Sequence, residues 1–131
     1  LFGYPEWQTY TDDHLSSFFE LDTYFYSSFY TNNLFPEAIK FTNAYRKWYS
    51  KDMANTFPKY GMLGFDTAFF FLKGLHKYGS NFEDNMNQMM LTPIQTGFKF
   101  ERVNNWGGFI NRKVFFVNFT KNFELIKLDF E

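Results

Sequence analysis

One residue in four of this sequence is aromatic, 25% in all, with 21 Phe, 9 Tyr and 3 Trp. No other feature restricts the fold as strongly. Chains that stay disordered are poor in aromatics, because they cannot bury enough apolar surface to offset the entropy of ordering. This chain must fold. Aromatic rings favour strands, and most of them belong in a core. The amphipathic Tyr4, Trp7, Tyr10, Tyr24, Tyr26 and Tyr30 could instead line a ligand cleft. At 131 residues the chain is about the size of one domain.

Charge and cysteine content narrow the function classes. Charged residues make up 21% and the formal net charge is −1. Nothing here attracts a phosphate backbone, so nucleic acid is not an expected partner. No block of like charges marks a tail or a polybasic membrane patch. The absence of cysteine excludes disulfides, thiolate metal sites and cysteine nucleophiles. The longest apolar run, Ala68 to Leu72, falls far short of the ~18 residues of a membrane span. No signal peptide is recognisable. The apolar start Leu1-Phe2-Gly3 is unlike a polar, frayed terminus. The expectation is a segment cut from a larger protein.

Along the chain, Leu1 to Tyr4 reads as the end of a buried strand, stopped by Pro5, which cannot donate to a ladder. Asp12 or Asp13 could cap a helix over His14 to Glu20. Thr23 to Tyr30 is strand-like, and Asn32-Asn33 breaks it. Pro36 suits a first helical position, and Ala38, Phe41, Tyr45, Trp48 and Tyr49 follow at helical spacing. Asp66 reads as the next N-cap, with Phe65 and Phe70 as a staple. Ala68 to Leu72 then predicts a helix buried on several sides, ending in Lys73, His76 and Lys77 before Gly79. Ser80-x-x-Glu83 predicts a capping box for a third helix with Phe82, Met86, Met89 and Met90 inside, closed by Pro93. Phe98 to Val103, Lys113 to Phe119 and Phe123 to Asp129 predict three closing strands, turned by Gly107-Gly108 and Thr120-Lys121-Asn122. Helix–strand alternation followed by a β meander gives the α/β or α+β class.

Chemical motifs are sparse. His14 and His76 are far apart, and Asp12-Asp13-His14 is better read as a helix start than as a metal site. There is no G-x-S-x-G, no P-loop and no GxGxxG. Gly61 and Gly64 alone make no phosphate cradle, and Asn118-Phe119-Thr120 is a glycosylation sequon best read as a chance match inside a strand. No catalytic residue, metal or cofactor is expected. Gly3-Tyr4-Pro5-Glu6-Trp7 is more informative. It lies just past a strand, where ligands bind in open α/β sheets. Glu6 could hold an ammonium group, with Trp7 adding a cation–π contact and Tyr4 beside them. The competing reading is a turn with a solvated Glu.

The chain resembles the C-terminal part of a type I periplasmic-binding-protein fold, the branched-chain amino-acid-binding class of ABC-transporter receptors. Four segments carry the resemblance: Phe2 to Trp7, Phe35 to Tyr49, Tyr60 to Ala68 and Phe98 to Asp129. Its aromatic-rich style is similar to a cell-envelope subgroup sometimes linked to LysM modules. The sequence departs from the pattern at Phe65, where Tyr is commoner, and at Gly97 to Phe100, a loose version of the entry to the closing strands.

The resemblance implies an α/β, two-lobed receptor of which residues 1–131 are one segment, closing on a small polar ligand such as an amino acid. It implies Glu6 as the ammonium ligand and places the Asp66 helix in the other lobe. The implied location is periplasmic, secreted or cell-envelope, with ABC-transporter membrane subunits or peptidoglycan as partners. Faces meant for missing elements would favour self-association. A structural envelope module without a ligand is the alternative.

Overall fold

The computed structural model describes residues 1–128. It is a mixed helix-and-sheet protein. In chain order its strands are β1 (Phe2–Gly3), β2 (Thr23–Ser27), β3 (Phe100–Arg102), β4 (Phe109–Asn111), β5 (Phe115–Phe119) and β6 (Leu125–Leu128). The helices are α1 (Thr11–Glu20), α2 (Pro36–Tyr49), α3 (Tyr60–Tyr78) and the short α4 (Phe82–Asn85). The chain divides into two compact units. One comprises Leu1–Phe29 and the chain from Val114 onward; the other is Tyr30–Lys113.

The first unit is a four-stranded sheet in the order β1-β2-β5-β6. β1 runs parallel to β2, and the other pairs are antiparallel. The period-2 geometry of strands puts Thr23, Phe25 and Ser27 on one face, opposite Phe119, Val117 and Phe115. All six are buried. Phe25 is fully buried and meets Phe18 of α1, Phe119 and Trp7 edge-to-face at centroid distances of 5.1, 5.4 and 6.4 Å. Edge-to-face contact aligns the positive ring edge with the negative ring face. β1 comes so close that a Cβ on Gly3 would stand 2.3 Å from the Phe25 ring. Only glycine fits there. Asp22, at φ 48°, turns the chain from α1 into β2, and Asx residues tolerate that left-handed conformation. Its carboxylate accepts a hydrogen bond from Asn118 Nδ2 at 3.1 Å.

The second unit packs α3 and α4 against the β3–β4 hairpin. Its core is Phe70, Phe82 and Met86, with Phe98, Phe100 and Phe109 against them. Phe70 and Phe98 stack at 4.3 Å. Phe82 lies directly on the α3 backbone, where a Cβ on Gly74 would meet its ring at 2.0 Å. Gly64, on the same helix, has nothing within 4 Å of an added Cβ. Opposite outcomes follow. Gly64→Ala is expected to stabilise by about 1 kcal/mol through helix propensity. Gly74→Ala is expected to destabilise by roughly 1–3 kcal/mol through overpacking. Urea midpoints of the two variants check this; equal shifts would contradict the packing at Phe82.

Several sequence expectations are corrected. β1 exists, but Leu1 and Phe2 are exposed and only Gly3 is buried. Asp12 and Asp13 lie inside the first turn of α1, where they suit the helix dipole without capping it. Pro36 does open α2, yet Trp48 and Tyr49 of its stripe are exposed. The Asp66 helix starts six residues earlier, at Tyr60, so Asp66 cannot be its cap. Within Ala68 to Leu72 only Phe70 is buried, and Leu72 is 67% exposed. The Ser80–Glu83 box does not form: Ser80 sits in a 3-10 turn, and Glu83 pairs with Arg102. Phe82 and Met86 face inward, but Met90 does not.

The three-stranded meander is also replaced. β3 pairs with β4, a strand the sequence reading missed, across the Gly107-Gly108 turn. β5 and β6 form a separate hairpin closed by residues 120–124. Phe123 belongs to that turn, at φ 62°. Asp129, the expected end of the last strand, lies outside the described residues.

Candidate functional site

Glu6, Trp7 and Tyr4 lie together just past the carboxyl end of β1. Pro5–Tyr10 forms a 3-10 helix, with Pro5 fixing its first turn. Trp7 N–H donates to the Tyr4 carbonyl at 3.0 Å, and the Thr9 hydroxyl donates to the Glu6 carbonyl at 2.7 Å. These bonds hold the segment locally. The Trp7 ring rests on Phe25 and on Gly3, which anchors it to the sheet core. Its other contact is Tyr4, edge-on at 6.2 Å. Tyr4 is 64% exposed, and Glu6 also faces solvent. The arrangement is a solvent-facing carboxylate beside an aromatic pair whose inner ring is fixed. Such a group can pair with a cation while an aromatic ring adds about 0.5–2 kcal/mol. No side chain among the described residues pairs with the Glu6 carboxylate.

His14 and His76 are both exposed on separate helices. No group of acidic residues and histidines among the described residues could hold a metal. The amide of Asn118, in the sequon, is buried and donates to Asp22 and to the Thr23 carbonyl. No helix among the described residues is long and apolar enough to cross a membrane. Burial pushes the Tyr30 phenol above its ordinary value of 10.0.

The second unit contains a cavity of about 350 Å³ that sequence reasoning missed. One wall is a face of α2 with Ile39, Thr42, Asn43 and Arg46. Their spacing is i, i+3, i+4, i+7, which puts them on one side of a helix. The signal was present but mixed: one apolar residue among three polar ones does not read as a stripe. Ser50, at φ 53°, reverses the chain after α2 and brings Asp52 back to pair with Arg46. Met53, Lys59, Met62 and Asn33 complete the lining.

Asp66 has a different task from the one its sequence position implied. It is buried, and its carboxylate accepts the backbone N–H groups of Ile94, Gln95 and Thr96, each at 2.8 Å. Gln95 is thereby fixed, and its side chain clasps both backbone atoms of Lys59. Lys59 N–H donates to Gln95 Oε1 at 2.9 Å, and Gln95 Nε2 donates to the Lys59 carbonyl at 3.2 Å.

Compared with protein-family models, with curated proteins and with solved structures, the chain matches none.

Proposed function

We propose that this chain is a non-catalytic binding module for a small polar ligand such as an amino acid, with Glu6 as the ammonium anchor and Trp7 and Tyr4 as its aromatic flank. One observation carries the reading: the exposed Glu6 carboxylate follows directly on β1, a strand paired in parallel, beside a ring seated on the core. In open, mostly parallel α/β sheets ligands bind at that end of the strands; in this sheet β1–β2 is the parallel pair and the others are antiparallel. The chain divides into two compact units, with Glu6 in one and Asp66 in the other; that these belong to two lobes of a receptor of the periplasmic-binding-protein kind is part of the proposal. Such a receptor would work by hinge closure, in the periplasm or at the cell surface, alongside transporter membrane subunits.

A structural or peptidoglycan-associated envelope module is the second reading. Its support is the exposed row Phe65, Phe69 and Leu72 on α3, at i, i+4 and i+7. Phe65 and Phe69 stack at 5.7 Å with 7° between their planes.

Thermal unfolding with free amino acids, simple sugars and muropeptides separates the two. A ligand at 100 times its dissociation constant adds about 2.7 kcal/mol. An amino-acid shift that disappears in Glu6→Gln is the expected result. A shift with muropeptide alone would move the assignment to the envelope module.

A further inference from the structure

We infer that the unit formed by Tyr30–Lys113 carries a second ligand site of its own, for a small organic carboxylate, with Lys59 as the charged anchor. The cavity's volume of about 350 Å³ is within the range of small-molecule sites. Its lining is mixed and leans to the polar side: Ile39, Met53 and Met62 are apolar, and the other six residues are polar or charged. Met62, 1% exposed, and Met53 are among its apolar lining residues. Asn33, Thr42 and Asn43 supply amide and hydroxyl groups to the walls.

The charges select the ligand. Arg46 and Asp52 are already paired with each other. Lys59 makes no side-chain hydrogen bond or ion pair among the described residues, and neither do Asn33, Thr42 and Asn43. The cavity therefore offers one uncompensated positive charge and three unused neutral hydrogen-bonding side chains. An ammonium at that position is best matched by a carboxylate, as a charge-assisted hydrogen bond. The neutral groups then face hydroxyl or amide substituents of the same molecule.

Lys59 is also held in position. Its backbone is gripped on both sides by Gln95, which is 4% exposed and is fixed in turn by Asp66. The clasp fixes the point at which the Lys59 side chain leaves the main chain.

This site does not depend on Glu6, and the test keeps the two apart. The full chain, ¹⁵N-labelled, is titrated with L-lactate, L-alanine, inorganic phosphate and ethanolamine. The side-chain amides of Asn33 and Asn43 are followed by NMR. The expected result is saturable shifts of those amides with lactate and alanine and none with ethanolamine. Lys59→Gln is expected to weaken binding roughly tenfold or more, the scale of one charged hydrogen bond. Glu6→Gln is expected to leave it unchanged. Because Gln95 holds only the backbone of Lys59, Lys59→Gln keeps that clasp, and an unchanged melting temperature checks the fold. Should the melting temperature fall, the charge-retaining Lys59→Arg, expected to keep binding within a few-fold, serves instead. The inference is overturned if no carboxylate moves the two amides, if phosphate alone does, or if Lys59→Gln binds as the wild type does.

Discussion

Asp66→Ala is expected to lower stability by about 3 kcal/mol or more, read as a large drop in the urea midpoint. The carboxylate is buried and accepts three backbone N–H groups at 2.8 Å. Alanine leaves all three donors without an acceptor, and each unsatisfied buried donor costs about 1–3 kcal/mol. Asp66→Asn is expected to fall between, because one carbonyl oxygen remains while charge assistance is lost. The damage reaches further than α3. Releasing Gln95 also frees the backbone of Lys59. A loss below about 1 kcal/mol for the alanine variant would contradict the role assigned to this carboxylate.

Phe25→Ala is expected to cost about 3–5 kcal/mol, as for other fully buried Phe residues. Phe25 has no exposed surface and touches Trp7, Phe18 and Phe119. Its loss empties the middle of the sheet face and removes the seat of Trp7. Stability and near-ultraviolet circular dichroism should therefore change together. Phe25→Leu, which keeps most of the volume, is expected to cost less and to retain the aromatic signal. If Phe25→Ala cost less than about 1 kcal/mol, this ring cluster would not be the core of its unit.

What could be read from the sequence was local. Pro36 marked the start of α2, and Gly79, at φ 56°, marked the end of α3. The strand expected over Thr23 to Tyr30 followed from its β-forming side chains, although β2 ends at Ser27. What failed depended on contacts distant in sequence. Asp66 before an apolar run has the look of a cap, and nothing nearby shows that Ile94, Gln95 and Thr96 will bring it their N–H groups. The pairing of β3 with β4 rather than with β5 is likewise a tertiary choice, because Phe98 to Phe119 supplies three short aromatic segments with similar propensity. Ala68 to Leu72 misled because aromatic density reads as burial, whereas a single α3 face holds the core. Of the candidate site, the proximity of Tyr4, Glu6 and Trp7 was legible because adjacent residues stay adjacent. The cavity was not, because its walls come from the turn before α2, α2 itself, the loop after it and the start of α3.

The most direct test of the binding-module account is an NMR titration of the ¹⁵N-labelled chain with a panel of L-amino acids, wild type beside Glu6→Gln. The account predicts saturable shifts of the backbone amides of Tyr4 to Tyr10 in the wild type, absent in the variant. No saturable shift in that segment with any amino acid, or shifts that survive the loss of the Glu6 charge, would contradict it.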